Sequence, residues 1–465
     1  MGAEEYALIA AVAGRSLEDP DQRMGLFAVG DDDQNIYAFA GASIEFIRRF
    51  EEDYTAKPSY LVENYRSTAA IIAAANRVIA PAANRMKADR DIIINHTRRR
   101  TPVGGMLARL DPVAQGRVQF LRTGPNIDAQ ASAAVDELIR LSRLVPDWSW
   151  SGAAIIAREW RFLEPVRSYC ETLGIPVQLS SETVPPLWRL REVQTFLAFL
   201  RAAPGRIFTI KAMQAFVSSE TVNRWWNMIS DAIAGLEADW GDKAIPVSET
   251  IELLAEWVRD TRQEQRGLLL LTAHRAKGLE FEAVVILDGG WDRTSKGEDR
   301  DAPRRLFYVA MTRAKRSLAI VSMQDRHPIL LDTAATLLHR SIVADETAQA
   351  DCGLRYQIAA PHMVDLSWAG RQTASNSAHQ ALMRIQTGNP IDLVEIDGRW
   401  LIRSGEGVVI RRMAQSYRPP AGLRFIRGEA AAIIHWRKLD NAEEFHSKLR
   451  REAWEVVLPE LVFGL

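Results

Sequence analysis

Two stretches of the chain decide its fold class. Residues 128–180 and 267–322 alternate short apolar runs with amphipathic helical patterns. The first has a helix over 128–144, the run Ala153–Ala157, a helix over 160–173 and the run Val177–Ser180. The second has Gly267–Leu271, Ala283–Asp288, a helix over 302–316 and Leu318–Ser322. Apolar runs without polar alternation suit strands covered on both faces, and the helices between them supply the crossovers of a parallel sheet. The expected class is therefore α/β. Gly25-Leu-Phe-Ala-Val-Gly30 reads as a further buried strand feeding a loop, Asp31-Asp-Asp-Gln34. Helices are expected over 7–13, 43–53 and 67–80, with Ser67 placed to cap the last. Residues 184–264 interrupt the alternation. They read as a helical insertion broken at Pro185-Pro186, Pro204-Gly205 and Gly241. Beyond 326 the texture changes. Val394–Ile396, Trp400–Arg403 and Val408–Arg412, separated by Asp397-Gly398 and Gly405-Glu-Gly407, predict a small antiparallel sheet. A last helix is expected over 441–454.

Composition removes other classes. With 47% apolar and 25% charged residues, disorder and low complexity are out. Cys170 and Cys352 cannot form a disulfide framework, which points to a reducing cytoplasm. No apolar run approaches the ~18 residues that span a bilayer, so no membrane partner is expected. The 58 basic and 59 acidic residues leave a net charge of −1, so any site for a polyanion must be local. The eight histidines are scattered without metal-ligand spacing. Residues 326–465 hold no Asp followed by Glu-x-Lys, so no nuclease centre is expected there.

Four segments carry chemistry. The first is Val29-Gly-Asp-Asp-Asp-Gln34-Asn-Ile-Tyr37-Ala-Phe39-Ala-Gly41-Ala42. A neutral Gln after a strand can sense a phosphate without acting as its counter-ion. Alternating aromatics beyond it can stack on unpaired bases. The second is Leu61-Val-Glu-Asn-Tyr65-Arg66-Ser67, a flat ring beside a cation. The third is Thr272-Ala-His274-Arg-Ala-Lys277-Gly-Leu-Glu280-Phe281, a loop whose donors suit nucleic-acid phosphates. The fourth is Arg304-Arg-Leu-Phe-Tyr308-Val-Ala-Met-Thr312-Arg313-Ala-Lys315.

In this order and spacing the segments resemble motifs III, IV, V and VI of the superfamily 1 DNA helicases of the UvrD/Rep type. The resemblance implies RecA-like P-loop NTPase motor domains, partial for the first and complete for the second. Residues 1–100 would be the C-terminal part of the first motor domain. Residues 101–325 would be the second, with the helical insertion at about 184–264, and 326–465 a small C-terminal α+β accessory region. It also implies ATP-driven 3′-to-5′ movement on single-stranded DNA. By resemblance Gln34 couples nucleotide state to DNA, Tyr65 packs on adenine, Arg66 reaches the γ-phosphate, Glu280 lies near the ribose and Arg313 is the arginine finger. Tyr37, Phe39, Thr272 and His274 would hold DNA. Two positions depart from the family pattern: Ala40 replaces an Arg before Gly41, and Asp301-Ala302-Pro303 replaces an acidic pair.

A Walker A loop needs Gly-Lys, and the chain has no such dipeptide. Asp136-Glu137 lies in a helical pattern and reads as a solvated helix face, not as a Walker B pair. The ATP phosphate cradle, the Mg²⁺ ligand and the catalytic base are therefore expected in an N-terminal helicase portion outside this sequence, and the chain alone is expected to be inactive. Expected partners are single-stranded DNA, DNA junctions and that portion. The alternatives are a dead DNA-binding or regulatory module, or one half of a split helicase. The expected location is the bacterial cytoplasm or nucleoid.

Overall fold

In a computed structural model of the protein, the described residues are 2–37, 41, 43–83, 85–179, 186–202, 207–241, 244–252, 267–294, 298–330, 337–343, 348–349 and 351–465. The chain divides into two compact units, one of 1–180 with 265–353 and one of 181–264 with 354–465. No helix among the described residues is long and apolar enough to cross a membrane.

The first unit is built on a seven-stranded, all-parallel sheet. Its strand order is Leu337–Ser341, Val118–Arg122, Ala314–Ser322, Phe281–Leu287, Ala153–Ala157, Leu268–Thr272 and Val177–Leu179. The apolar runs have a direct physical reason. Ala154, Ile156, Val284 and Ile286 face one core. Their neighbours Ala153, Ile155, Val285 and Leu287 face the other. A strand with helices on both faces has no side left for polar residues.

Several expectations change. The run 25–30 forms no strand, and Phe27 and Val29 are exposed (92% and 78%). Among the described residues no strand flanks it, so its apolar side chains have no sheet to enter. The helix expected over 302–316 ends at Met311, because Ala314 already pairs with Phe281 in the sheet. Thr68, not Ser67, occupies the N-cap of the helix Ala69–Ile79. Residues 1–100 fall in the same unit as the large sheet. Leu337–Ser341, beyond the expected boundary at 325, adds an edge strand to that sheet through Leu337 and Val118.

The reading of Asp136-Glu137 as a solvated face is half wrong. Asp136 is exposed, but Glu137 is buried. Glu137 accepts from Gln119 (2.6 Å), Arg140 (2.7 Å) and Arg340 (2.9 Å). Despite the cost of burial, Glu137 and Asp111 hold the Arg140 guanidinium above its ordinary value. The helix Ile127–Leu144 turns this carboxylate onto the outer strands, where three donors compensate it.

In the second unit, helices Arg191–Arg201, Ile210–Ser219 and Arg224–Trp240 share one core with the C-terminal sheet. Segment 181–264 thus belongs with 354–465 and not with the α/β unit. The sheet is six-stranded, ordered Arg355–Ile358, Ala453–Gly464, Arg424–Arg437, Pro390–Ile396, Arg399–Ser404 and Val409–Arg412, with every pairing antiparallel. Asp397 and Gly398 both have positive φ (50° and 68°), the two-residue hairpin turn that Asp-Gly specifies. The helix expected over 441–454 is absent. A short 3-10 helix covers Glu443–Lys448, and the β-rich run Ala453–Gly464 pairs along the full length of Arg424–Arg437.

Two buried charges in the first unit yield predictions. Arg85 grips Asp33 with two hydrogen bonds (2.8 and 2.9 Å), their side chains 4% and 1% exposed. Breaking a buried pair costs about 3–5 kcal/mol, and Lys87, 3.7 Å from Asp33, still offsets part of its charge, so Arg85→Ala should cost about 3 kcal/mol or less in urea unfolding. Burial pushes His327 down to about 4 from its ordinary 6.5. Its Nδ1 accepts from the backbone of Ile329 and Leu330 (3.2 and 3.3 Å). The unfolded chain takes up that proton near pH 6.5 and the folded chain only near pH 4. Stability should therefore be whole above pH 6.5 and fall by about 1.4 kcal/mol per pH unit between those values. His327→Asn should flatten that part of the denaturation profile.

Candidate nucleotide and nucleic-acid site

The Asn64–Ser67 turn is folded by its own first residue. The Asn64 side-chain oxygen accepts from the backbone of Arg66 (3.0 Å) and Ser67 (2.8 Å). Buried Ser67 donates to Ala314 O (2.7 Å), and the Thr68 backbone donates to Lys315 O (3.1 Å). These bonds lay the turn against the first residues of the strand Ala314–Ser322.

That placement brings Arg66 onto Glu280, with which it forms an ion pair. Lys315 lies 3.4 Å from the same carboxylate, and Arg316 holds Glu282 at 2.7 Å. Burial works against the Glu280 charge, but Arg66 and Lys315 outweigh it and keep the carboxyl below its usual range. Glu63, Asn64, Tyr65, Arg66, Glu280 and Lys315 line a cavity of about 580 Å³. The Tyr65 ring is 70% exposed, and its hydroxyl donates to Glu63 (3.0 Å).

Arg313 stands behind this cavity, 3% exposed. It donates to Val309 O (3.0 Å), Leu279 O (3.2 Å) and Thr312 Oγ1 (3.1 Å). Burial, reinforced by the cation of Arg66, pushes its guanidinium down to about 10. It still carries its charge at neutral pH. Arg66, Lys315 and Arg313 thus gather near Glu280, with Glu63 as a second carboxylate in the lining, and Arg66 Nε is buried without a hydrogen-bond partner. The residues fit a polyphosphate: the excess charge is positive, and one buried donor is free.

A second cluster forms around Gln34. Its side-chain amide donates to Asp31 (2.7 Å), and its carbonyl accepts from Lys277 (3.0 Å). Lys277 also lies 5.1 Å from the centroid of the Tyr37 ring, and the Tyr37 hydroxyl donates to His274 O (3.2 Å). Tyr37 and His274 are therefore neighbours. Thr272 ends the strand Leu268–Thr272, and its carbonyl anchors the turn that carries His274. Phe39 and Ala40 lie outside the described residues. Asp31, Asp32 and Asp33 bring their oxygens within 4.8 Å of one another. They do not fit a divalent-cation centre, because Lys87 (2.5 Å), the Met86 backbone (2.6 Å) and Arg85 already take them.

The site-residue expectations omitted Lys277, Lys315, Arg85 and Lys87. Lys277 and Lys315 stand inside the quoted segments, three and two residues from chosen positions, and were legible there. Arg85 and Lys87 sit in an unremarkable stretch that no pattern marks.

Comparison with known proteins agrees with the motif reading. Residues 211–325 match the UvrD-like helicase C-terminal domain, and residues 4–55 match the UvrD/REP helicase N-terminal domain. DNA helicase II of Haemophilus influenzae is 40% identical over 401 residues, covering 69% of this chain and 54% of that protein. A putative ATP-dependent DNA helicase of Bacillus subtilis, YjcD, is 25% identical over 380 residues, covering 65% and 48%. The ATP-dependent DNA helicase UvrD1 of Mycobacterium tuberculosis is 48% identical over 82 residues, covering 17% and 11%. The chain spans about half the length of the longer relatives. With four motifs in order and matches to both family domains, the chain carries segments similar to those of the UvrD/Rep-type helicases.

Proposed function

We propose that the chain supplies the nucleotide-sensing and DNA-tracking side of an ATP-dependent, 3′-to-5′ DNA translocase. One observation carries this reading. Tyr65, Arg66 and Glu280 line one cavity, Arg313 lies within electrostatic reach of Arg66 and Glu280, and the Tyr65-Arg66 motif is more than two hundred residues from the other two in sequence. In this reading 1–100 and 101–325 are portions of two RecA-like motor domains, 326–465 is an accessory region, and the protein works in the bacterial cytoplasm.

Bound ATP supplies a triphosphate whose hydrolysis changes the charge facing the site. The Tyr65 ring stacks on the base, and Glu280 accepts from the ribose hydroxyls. Arg66 exchanges Glu280 for the terminal phosphate. Arg313 adds a desolvated cation, which phosphoryl transfer uses to offset developing negative charge. On the other side, Lys277 holds both the Gln34 carbonyl and the face of Tyr37. A shift of Gln34 with nucleotide state therefore reaches the ring that stacks on single-stranded DNA. Thr272, His274 and Phe39 extend that track, and DNA junctions are its wider substrate. Mg²⁺ and the phosphate cradle belong to a helicase portion not encoded in these 465 residues.

Four expectations follow. Titration with a fluorescent ATP analogue should show binding that Arg66→Ala weakens about tenfold, the scale of a lost charge-assisted hydrogen bond. Purified chain should show no DNA-stimulated ATPase, and measurable turnover would overturn that part of the reading. Binding of a labelled single strand should fall with salt. Tyr37→Ala should cost about 1–3 kcal/mol of that affinity and leave nucleotide binding unchanged. Equal DNA binding by Tyr37→Ala and the unmodified chain would remove Tyr37 from the track.

A further inference from the structure

The second unit contains a cavity of about 330 Å³. Arg191, Glu192, Glu220, Trp226, His435 and Glu455 are among its walls. Its charge is unbalanced. Arg191 is fully engaged: it clamps both oxygens of Glu455 (2.6 and 2.5 Å) and donates to the carbonyls of Leu382 (2.6 Å) and Ile385. Burial pushes His435 below its ordinary value, so near neutral pH it adds no charge. Among the described residues neither Glu192 nor Glu220 has a cationic partner.

Glu192 is the informative residue. It is 2% exposed. Its Oε1 accepts from Asn223 (3.1 Å) and Thr387 (2.8 Å), while its Oε2 is buried with no hydrogen-bond partner. Two neutral donors from separate segments thus aim a carboxylate whose second oxygen is left bare. A buried acceptor without a donor costs about 1–3 kcal/mol, and more when charged. Natural interiors tolerate few such groups, and each calls for an explanation.

We infer that this cavity binds an organic cation, a guanidinium or primary ammonium on an alkyl stem, with Glu192 Oε2 as its principal acceptor. The other walls suit that class. Glu220 adds a second negative charge. The Trp226 indole offers a face to a cation. Met383, 70% exposed, provides an apolar surface for the stem at the mouth. An inorganic divalent ion fits less well. It needs several ligand oxygens converging within a few ångströms, and among the described residues only Asp31, Asp32 and Asp33 converge in that way. The cation can come from a free small amine or from an Arg or Lys side chain of a polypeptide, and the test separates the two. The inference does not rest on the nucleotide reading.

Isothermal titration of the full chain at low salt, with agmatine in one arm and acetyl-Gly-Arg-Gly-amide in the other, tests it. Binding by at least one probe is expected, weakened about tenfold or more in Glu192→Gln. Glu452→Gln, which removes an exposed carboxylate elsewhere in the unit, should leave it unchanged. Binding of agmatine alone identifies a small free cation. Equal binding of the peptide identifies a polypeptide side chain. Absence of binding by both probes up to about 10 mM overturns the inference, as does equal affinity in Glu192→Gln. If Glu192→Gln fails to fold, judged by its melting curve, Glu220→Gln at the rim decides. Weakened binding in that variant supports the site, and unchanged binding overturns it.

Discussion

Two hydrogen bonds hold the candidate site together, Ser67 Oγ to Ala314 O and Thr68 N to Lys315 O. They attach the Asn64–Ser67 turn to the start of a sheet strand. Without them the turn would hang on the two-residue parallel pairing of Glu63–Asn64 with Ile93–Ile94. The rest follows from sheet register. Ala314 pairs with Phe281, which leaves Glu280 before that pair and Lys315 after it within reach of each other, 3.4 Å apart. Arg66 then meets both. The geometry of the cavity is inherited from the strand pairing.

That inheritance explains what was legible in the sequence and what was not. Ile155 and its neighbours announced a strand because burial on both faces leaves no polar position. Asp397-Gly398 announced a hairpin because few other dipeptides adopt two positive φ values. Both are local constraints. The run 25–30 failed because its composition demands a sheet that the described residues do not give it. The strand 453–464 was not foreseen, and a helix was expected over 441–454, because its pairing with 424–437 is long-range and period alone does not separate a buried strand from a helix. Glu137 was misread for the same reason: its donors Gln119 and Arg340 come from distant strands.

The candidate site was legible to a greater degree than the unit boundaries. Arg66, Glu280 and Arg313 belong to segments whose order and spacing mark them, and the structure gathers them. Gln34 and Tyr37 meet through Lys277, a residue inside a quoted segment whose bridging position needs coordinates to see. The second unit offered no such segment. Glu192 is one glutamate among many in the sequence, and only its burial and its bare oxygen distinguish it.

The two kinds of ion pair in the first unit have different uses because they differ in burial. Arg85 and Asp33 are almost fully enclosed. Exchanging either partner would leave a charge in a low-dielectric interior, so that pair is fixed. Arg66 and Glu280 are each about one-third exposed. A pair of that exposure is worth about 0–1 kcal/mol net. A phosphate competing for Arg66 therefore displaces Glu280 at little cost, and Lys315 remains to balance the released carboxylate. A ligand can shift an equilibrium only by its differential affinity for the two states. A weak resident pair leaves most of the phosphate's affinity free for that shift. In this arrangement Arg313 forms no ion pair of its own: two carbonyl oxygens and the Thr312 hydroxyl accept from it, and Glu280 and Asp31 offset its charge only at a distance.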